Sequence, residues 1–472
     1  MRVALNSTAA FLDHPGRRRG ACVRTRRTAP WPAMSQQTAP AEDGSKGAQV
    51  QVSFVTELDD FRVSDAPILL PTRLRRAGLS EVVNHLLGGT SPRPFDFLLS
   101  GQLLRGTLAD GLLRHGLTGE AAITLQYILC VPPPKSGPVL QHKDWVAALG
   151  AHPSGSGLLL SGCYDHAAYV WHTADRQIAL SGHTGAVKAV AWLAAGSDAD
   201  GLRAATGSKD HTIRLWSVAA SGTSATAEAV LTGHVSSVEA IVANPAGDRI
   251  CSGAWDGTML LWDSGAPLQT AEDSPPPPKK KRGRGGADGD EAASAASARA
   301  PVERSPADTL SGHSSSVDAL CWPTAALLYS GSWDGTVREW QLDVGSPSAT
   351  LTGQAAVLCV DVSLSSGLIV SGHTDHAMRL WDSRLQSVAP VLSLPHSGWV
   401  SAAKWCAQQP HLLASACYDG SVRLWDVRST LPLHVVSQHD GKALCLTWDG
   451  DERLASGGTD AALRLTSIAQ PA

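Results

Sequence analysis

An Asp followed six residues later by a Trp recurs along most of the chain. The pairs are Asp165/Trp171, Asp210/Trp216, Asp256/Trp262, Asp334/Trp340, Asp375/Trp381 and Asp419/Trp425. A seventh unit keeps Asp460 but has Thr466 where the Trp belongs. Four residues before every Asp stands a Ser or Thr: Ser161, Thr206, Ser252, Ser330, Ser371, Ser415 and Ser456. Further upstream lies a His (His142, His183, His234, His313, His396, His439), except in the fifth unit, which has Gln354. Units this short cannot bury a core alone, so they must stack into a repetitive architecture.

Successive Trp positions are 45, 46, 78, 41, 44 and 41 residues apart. The long interval is one repeat plus an insertion of roughly 35 residues. Periods near 40 to 45 with Gly-His and Trp-Asp marks resemble WD repeats, which build four-stranded propeller blades. Segments such as Thr336–Trp340 and Ser421–Trp425 alternate faces as strands do, and Asp-Gly steps at 256, 334 and 419 mark tight turns. The expected fold is an all-β, seven-bladed propeller over 137–470. Gly137–Gln141 is placed to supply the outer strand of the last blade, which leaves the ring no open edge.

A His, an Asp and a Ser within one blade suggest a catalytic triad. Repetition argues against it. Catalysis needs one site, whereas a polar set present in seven copies is a hydrogen-bond network that staples blades. The same reasoning removes the His residues as metal ligands. The nine cysteines are scattered and contain no C-x-x-C pair, which argues against zinc sites and a disulfide framework. They suit a reducing intracellular compartment. No apolar run is long enough to span a membrane. A net charge of −4 gives no global basic field for nucleic acid.

Residues 49–130 differ in character. Gln51–Val55 alternates like a strand, Phe61–Ser64 reads as its pairing partner, and Leu79–Leu87 has helical spacing with Ser80 as N-cap and Gly88 as stop. Phe95–Leu99 and Ala122–Ile128 read as further strands. The resulting β-β-α-β-β order suits a small α+β ubiquitin-like fold.

The wording of this segment is more specific than its pattern. Gly78–Leu87, Pro94–Leu99, Gly101–Arg105 and Gly116–Glu120 closely resemble the NLE-type ubiquitin-like domain. That domain precedes a WD propeller in two ribosome-assembly families. One is the WD-repeat subunit of the Pescadillo–Block-of-proliferation complex and the other is Notchless. Seven blades and a long insertion after the third resemble the former, since Notchless propellers have eight. The resemblance implies a factor for maturation of the large ribosomal subunit and its rRNA, in the nucleolus and nucleoplasm. Block-of-proliferation and Pescadillo proteins would anchor the propeller on the precursor particle, and direct rRNA contact is left open. The ubiquitin-like domain would dock on midasin, a giant AAA ATPase with a metal-ion-dependent adhesion site. The ligand position of the family falls on Glu120, whose carboxylate would complete the octahedral shell of a Mg²⁺ held by the partner. Asp96 and Glu81, on a strand and a helix, are weaker rivals. The chain would bind no cofactor of its own. It would be a handle and scaffold, not an enzyme, and it has no phosphate-binding G-x-x-x-x-G-K-[ST] loop. The rival readings are a Notchless-like factor and a ubiquitin-pathway substrate adaptor. Trp255, Trp333 and Tyr418, each just before a repeat Asp, are candidate partner anchors on the propeller; packing between blades is the alternative for each.

Two segments stand outside this scheme. Residues 264–309 carry the proline run Pro275–Pro278, then Lys279, Lys280, Lys281, Arg282 and Arg284, then an Ala/Ser/Gly/Glu-rich stretch. The composition predicts disorder, and the basic cluster reads as a nuclear import signal or a general RNA-affinity patch. Residues 1–48 are expected to be a disordered extension. Residues 1–33 hold seven Arg and one acid, which is the composition either of an organelle leader or of a stretch upstream of a start at Met34.

Overall fold

The computed structural model describes residues 48–469, apart from 90, 119–120, 155–156, 173–175, 194–201, 220–223, 266–300, 386–388 and 451. The N-terminal extension and the basic cluster Lys279–Arg284 therefore lie outside the described residues.

The first folded part contains β1 (Gln49–Val55), β2 (Ile68–Pro71), α1 (Arg76–Leu87), β3 (Phe95–Leu99), β4 (Gln102–Leu103), α2 (Leu108–His115) and β5 (Ile123–Leu129). Its sheet runs β2-β1-β5-β3-β4, with β1 and β5 parallel. One face of the sheet alternates inward as Val50, Val52 and Phe54, then Phe95, Phe97 and Leu99, then Ile123, Leu125 and Tyr127. Both helices cover that face through Leu79, Val83, Leu108 and Leu112. Phe95 and Tyr127 meet edge to face at 5.5 Å.

Three local expectations change here. Phe61–Ser64 is not a strand, because Tyr127 serves its backbone groups. The phenol donates to the Phe61 carbonyl at 2.6 Å and accepts from Val63 N–H at 3.1 Å, and the pairing strand forms later, at Ile68–Pro71. Helix α1 starts one turn before Ser80, behind Arg75. The Ser80 hydroxyl instead ties α1 to the next strand, accepting from Phe95 N–H at 3.1 Å and donating to the Arg93 carbonyl at 3.2 Å. Finally, α2 follows β4. It is capped by a reciprocal Thr107/Asp110 pair and closed by left-handed Gly116.

The second part is a ring of seven blades, each built on four antiparallel strands, the second carrying a fifth that pairs in parallel. The inner strands begin at Val146, Val187, Val238, Val317, Val357, Val400 and Ala443. The last blade comprises Ala443–Asp449, Arg453–Gly458 and Ala462–Ser467, and its outer strand is β6 (Lys135–Gln141). Gln141 pairs with Ala462 and Lys135 with Ser467, so chain from before the first blade closes the ring. This is the expected closure, with the strand starting two residues earlier.

The insertion is narrower than 264–309. Val302–Arg304 pairs in parallel with the outer strand of the second blade, Ala225–Thr232, and Asp308–Leu310 is the outer strand of the third. Composition hides both, because short outer strands need only one inward apolar residue; here Leu310 is buried against Met259. Arg304 and buried Arg203 also fasten the start of the insertion, donating to the Ser264 carbonyl at 2.9 and 2.8 Å.

Candidate docking sites and the repeat networks

The repeated polar residues sit where strand geometry puts them. The Ser or Thr lies in the second strand of its blade and the Trp in the third, diagonally across and two residues off the register partner. In blades one to six the indole N–H donates to that hydroxyl. Trp171 reaches Ser161 at 2.9 Å, Trp216 reaches Thr206 at 2.8 Å and Trp262 reaches Ser252 at 2.8 Å. Trp340, Trp381 and Trp425 do the same to Ser330, Ser371 and Ser415, at 2.7 to 2.8 Å.

The polar sets staple the blades as expected, and the indoles do more than make that bond. All six are buried, and their rings fill the spaces between blades. Trp171 packs with Leu140, Ala455 and Leu463 of the last blade, which makes it a residue of ring closure. Trp216 packs with Leu158, Leu160 and Val170 of the first blade, and Trp262 with Ile213, Leu215 and Leu231 of the second. Trp171, Trp216 and Trp262 therefore form no shared binding site. Each belongs to a different inter-blade core, where an indole supplies a large apolar area and needs one partner for its N–H.

His183, His313 and His439 complete the relay, with Nε2 on the hydroxyl at 2.7 to 2.9 Å and Nδ1 on the repeat Asp (Asp210, Asp334, Asp460) at 2.8 to 2.9 Å. In the third blade His234 reaches Ser252 at 2.7 Å but lies 3.7 Å from Asp256. Burial holds the His313 and His234 rings neutral by lowering their pKa, against the pull of the nearby carboxylates. Desolvation pushes the Asp334 carboxyl up, but hydrogen bonds from Thr336 and His313 outweigh it and hold the group at about 2.

The imperfect units are repaired in all but the first, where His142 Nδ1 is buried without a hydrogen-bond partner among the described residues. In the first, His142 reaches Ser161 at 3.3 Å, while Asp165 accepts the Tyr169 hydroxyl. In the fifth, Gln354 is not buried and its place is taken from inside the sheet by His373, while Asp375 pairs with Arg379. In the sixth, His396 turns Nδ1 to the Leu394 carbonyl at 3.1 Å, and Asp419 pairs with Arg423 at 2.8 Å. In the seventh, Thr466 is buried in the Trp position and Ser456 meets Ser437 instead, at 3.2 Å. These sets hold the second and third strands of a blade to the loop entering it.

The residue after every repeat Asp adopts positive φ. Gly257, Gly335 and Gly420 do so freely, whereas His166, His211, His376 and Ala461 bear the strain of a side chain there.

Glu120, with Gly119, lies outside the described residues. In sequence it falls between the α2 cap at Gly116 and the start of β5 at Ile123. Leu113 on α2 is 84% exposed and Leu117 is exposed beside it. Asp96 is buried on β3 and paired with Arg76 at 3.2 Å, so it is not free to meet a partner. Glu81 is exposed on α1. Among the described residues no three His, Cys, Asp or Glu converge as a metal site.

The residues that precede each inner strand and follow each second strand share one end of the ring. Four exposed indoles gather there: Trp145, Trp255, Trp333 and Trp399. Trp399 stacks on Tyr418 at 5.3 Å and meets Trp333 edge-on at 6.5 Å. The Lys442 ammonium lies 4.6 Å over Tyr418, and that of Lys209 lies 4.9 Å over Tyr164. Inside this rim a cavity of about 340 Å³ is lined by Lys188, Glu239 and Asp318, with Lys188 3.2 Å from Glu239. Trp255 and Trp333 are thus solvent-facing and Tyr418 is partly covered by Trp399. Sequence reasoning misses Trp145 and Trp399, each three residues after a repeat His (His142, His396), because only these two units carry Trp at that position.

These two parts define the class: an NLE domain placed before a WD-repeat propeller. The NLE (NUC135) domain family matches residues 50–112. The WD domain, G-beta repeat family matches six segments: 135–172, 175–217, 226–263, 304–341, 345–382 and 389–426. The seventh blade, without its Trp, lies beyond them. The chain is similar to the ribosome biogenesis protein WDR12 homologs of Chlamydomonas reinhardtii (37% identity, 88% of this chain and 97% of the relative) and Arabidopsis thaliana (36%, 90% and 98%). It is also similar to that of Nematostella vectensis (30%, 87% and 97%). The chain belongs to the WDR12 family of ribosome biogenesis proteins.

Proposed function

We propose that this protein is an assembly factor for the large ribosomal subunit, a non-enzymatic handle by which an ATPase removes a subcomplex from the precursor particle. The observation that carries this reading is the pairing of an NLE domain with a complete propeller along nearly the full length of its WDR12 relatives. The aromatic rim of the propeller suits a protein partner, because clustered Trp and Tyr anchor interfaces; the proposed partners are Block-of-proliferation and Pescadillo proteins. The turn holding Glu120 is proposed to dock on the adhesion site of midasin. A Mg²⁺ there supplies an open position for one hard oxygen ligand. The chain's own contribution is to carry a single carboxylate in the segment between α2 and β5. The nucleus and nucleolus are the proposed location, with Lys279–Arg284 as import signal.

Binding of the full chain to the metal-site domain of midasin tests this, with Mg²⁺, with EDTA, and with Glu120→Ala. Binding lost in both the chelated and the mutant samples supports the handle. Binding indifferent to both would remove the metal mechanism and favour the ubiquitin-adaptor reading.

A further inference from the structure

The ubiquitin-like domain has a second polar interface, with its own propeller. Edge strand β4 turns its free side to the sixth blade, and Leu103 N–H donates to the Arg428 carbonyl at 2.9 Å. Arg105 Nε donates to the Ser429 hydroxyl at 3.3 Å. Beyond β5, His434 Nε2 donates to the Val131 carbonyl at 3.1 Å, and the Val131 side chain packs against the shared core of the sixth and seventh blades. Leu98 and Leu103, register partners on β3 and β4, lie outside the domain's own core. Both are nearly fully buried, at 2% and 7% exposure. A separate ubiquitin-like sheet would show this face and this edge to water. The receiving turn is itself braced, since Asp426 accepts Arg428 N–H at 2.9 Å and its guanidinium at 2.7 Å. Only Pro132-Pro133-Pro134 separates Val131 from β6, and a triproline is a stiff spacer rather than a loose tether.

We infer that the β4 edge and adjoining sheet face of the ubiquitin-like domain form an intramolecular docking surface, whose occupant is the turn at Asp426–Ser429 of the sixth blade. The clamp makes domain and ring one body and closes the β3–β4 face to outside partners. The end bearing Leu113 and Leu117 then remains the accessible one. The inference does not depend on the ATPase reading, because it concerns the free chain.

Single-molecule energy transfer on the full chain tests it. Fluorophores are placed through non-natural residues at Leu113 and at Leu364, both exposed and neither a clamp residue. The unmodified clamp should give one narrow distance distribution. Leu103→Glu puts a charge into the interface without touching the domain core, and should broaden the distribution several-fold. Arg105→Ala combined with His434→Ala removes two of the three bonds with less risk to folding, and should shift it the same way. A broad distribution in the parent chain, or a narrow one unchanged in both folded variants, would overturn the inference. Neither result bears on binding to midasin.

Discussion

His373 stands two residues after Ser371 on the same strand, and its Nε2 lies 2.8 Å from the Ser371 hydroxyl. Ser371 also accepts the indole N–H of Trp381, so the fifth blade keeps its three-residue relay although Gln354 has replaced the repeat His. The ring reaches the site from within the sheet rather than from the entering loop. The Gly353 backbone passes close enough that a Cβ there would lie 2.8 Å from the imidazole.

That substitution predicts an inversion of the usual pattern. His373→Ala should destabilise the protein by about 1–3 kcal/mol, through an empty site and a buried hydroxyl short of a partner. Gln354→Ala, at the aligned repeat position, should stay within about 0.5 kcal/mol. Urea unfolding of the two variants measures both. Equal losses would show that His373 does not carry the relay.

Ala461 occupies the turn position at φ +56°, where three other blades have Gly. Ala461→Gly should stabilise the last blade by about 1 kcal/mol, as left-handed strain is relieved. Thermal unfolding should show a higher midpoint. A lower one would mean that chain entropy outweighs the strain.

Burial depresses the imidazole pKa of His142, His373 and His396 to about 4. In the unfolded chain such rings take up protons below about pH 6.5, while the native ones stay neutral. This contribution is therefore whole above pH 6.5 and declines as pH falls from there towards 4. Desolvation raises Asp334 and Asp419, but their hydrogen-bond donors prevail and hold both at about 2. Their contribution is whole above the usual carboxylate range and declines between roughly pH 4 and 2. Unfolding midpoints should fall in two stages on acidification, and His373→Ala should shallow the first. A midpoint flat from pH 7 to 4 would contradict the assignment.

Trp425 is 1% exposed and bonded to Ser415, whereas Trp255 is 64% exposed. Trp425→Ala should destabilise the ring by about 3–5 kcal/mol. Trp255→Ala should leave unfolding unchanged and weaken capture of the proposed Block-of-proliferation partner, read by titration calorimetry. Unchanged affinity would move the interface away from that part of the rim.

The ring was legible because its marks are repeated. One Asp-x₅-Trp is weak, but six with constant spacing, and a seventh lacking only its Trp, require a stack of like units. The closing strand was legible for a related reason: the last unit is short by one strand, and a short stretch able to pair precedes the first. Spacing does not say where an indole points, so the packing of Trp171, Trp216 and Trp262 against neighbouring blades emerges only from the fold. Other features escape notice because they have no period. His373 is an ordinary His in a strand until Gln354 is placed opposite it. The outer strands at Val302–Arg304 and Asp308–Leu310 are too short to show alternation. Helix α2 carries Gly111 at its centre, which weakens its pattern; a Cβ there would meet Leu104 at 2.6 Å, so close packing selects the glycine. The proposed metal contact at Glu120 rests on resemblance alone, since one loop carboxylate has no pattern.

Closure by β6 has a consequence for synthesis. Gln141 pairs with Ala462, more than three hundred residues later, and the partners of Leu103 and Val131 in the sixth blade are also more than three hundred residues away. On the ribosome the ubiquitin-like domain can fold as soon as β5 emerges, but β6 must wait, its edge unpaired, until nearly the whole ring has been translated. A strand waiting this long is open to wrong pairing with a neighbouring nascent chain. The last step of folding is thus a long-range capture of the first propeller strand, and a chaperone that shields residues 135–141 during elongation would raise the yield of closed rings.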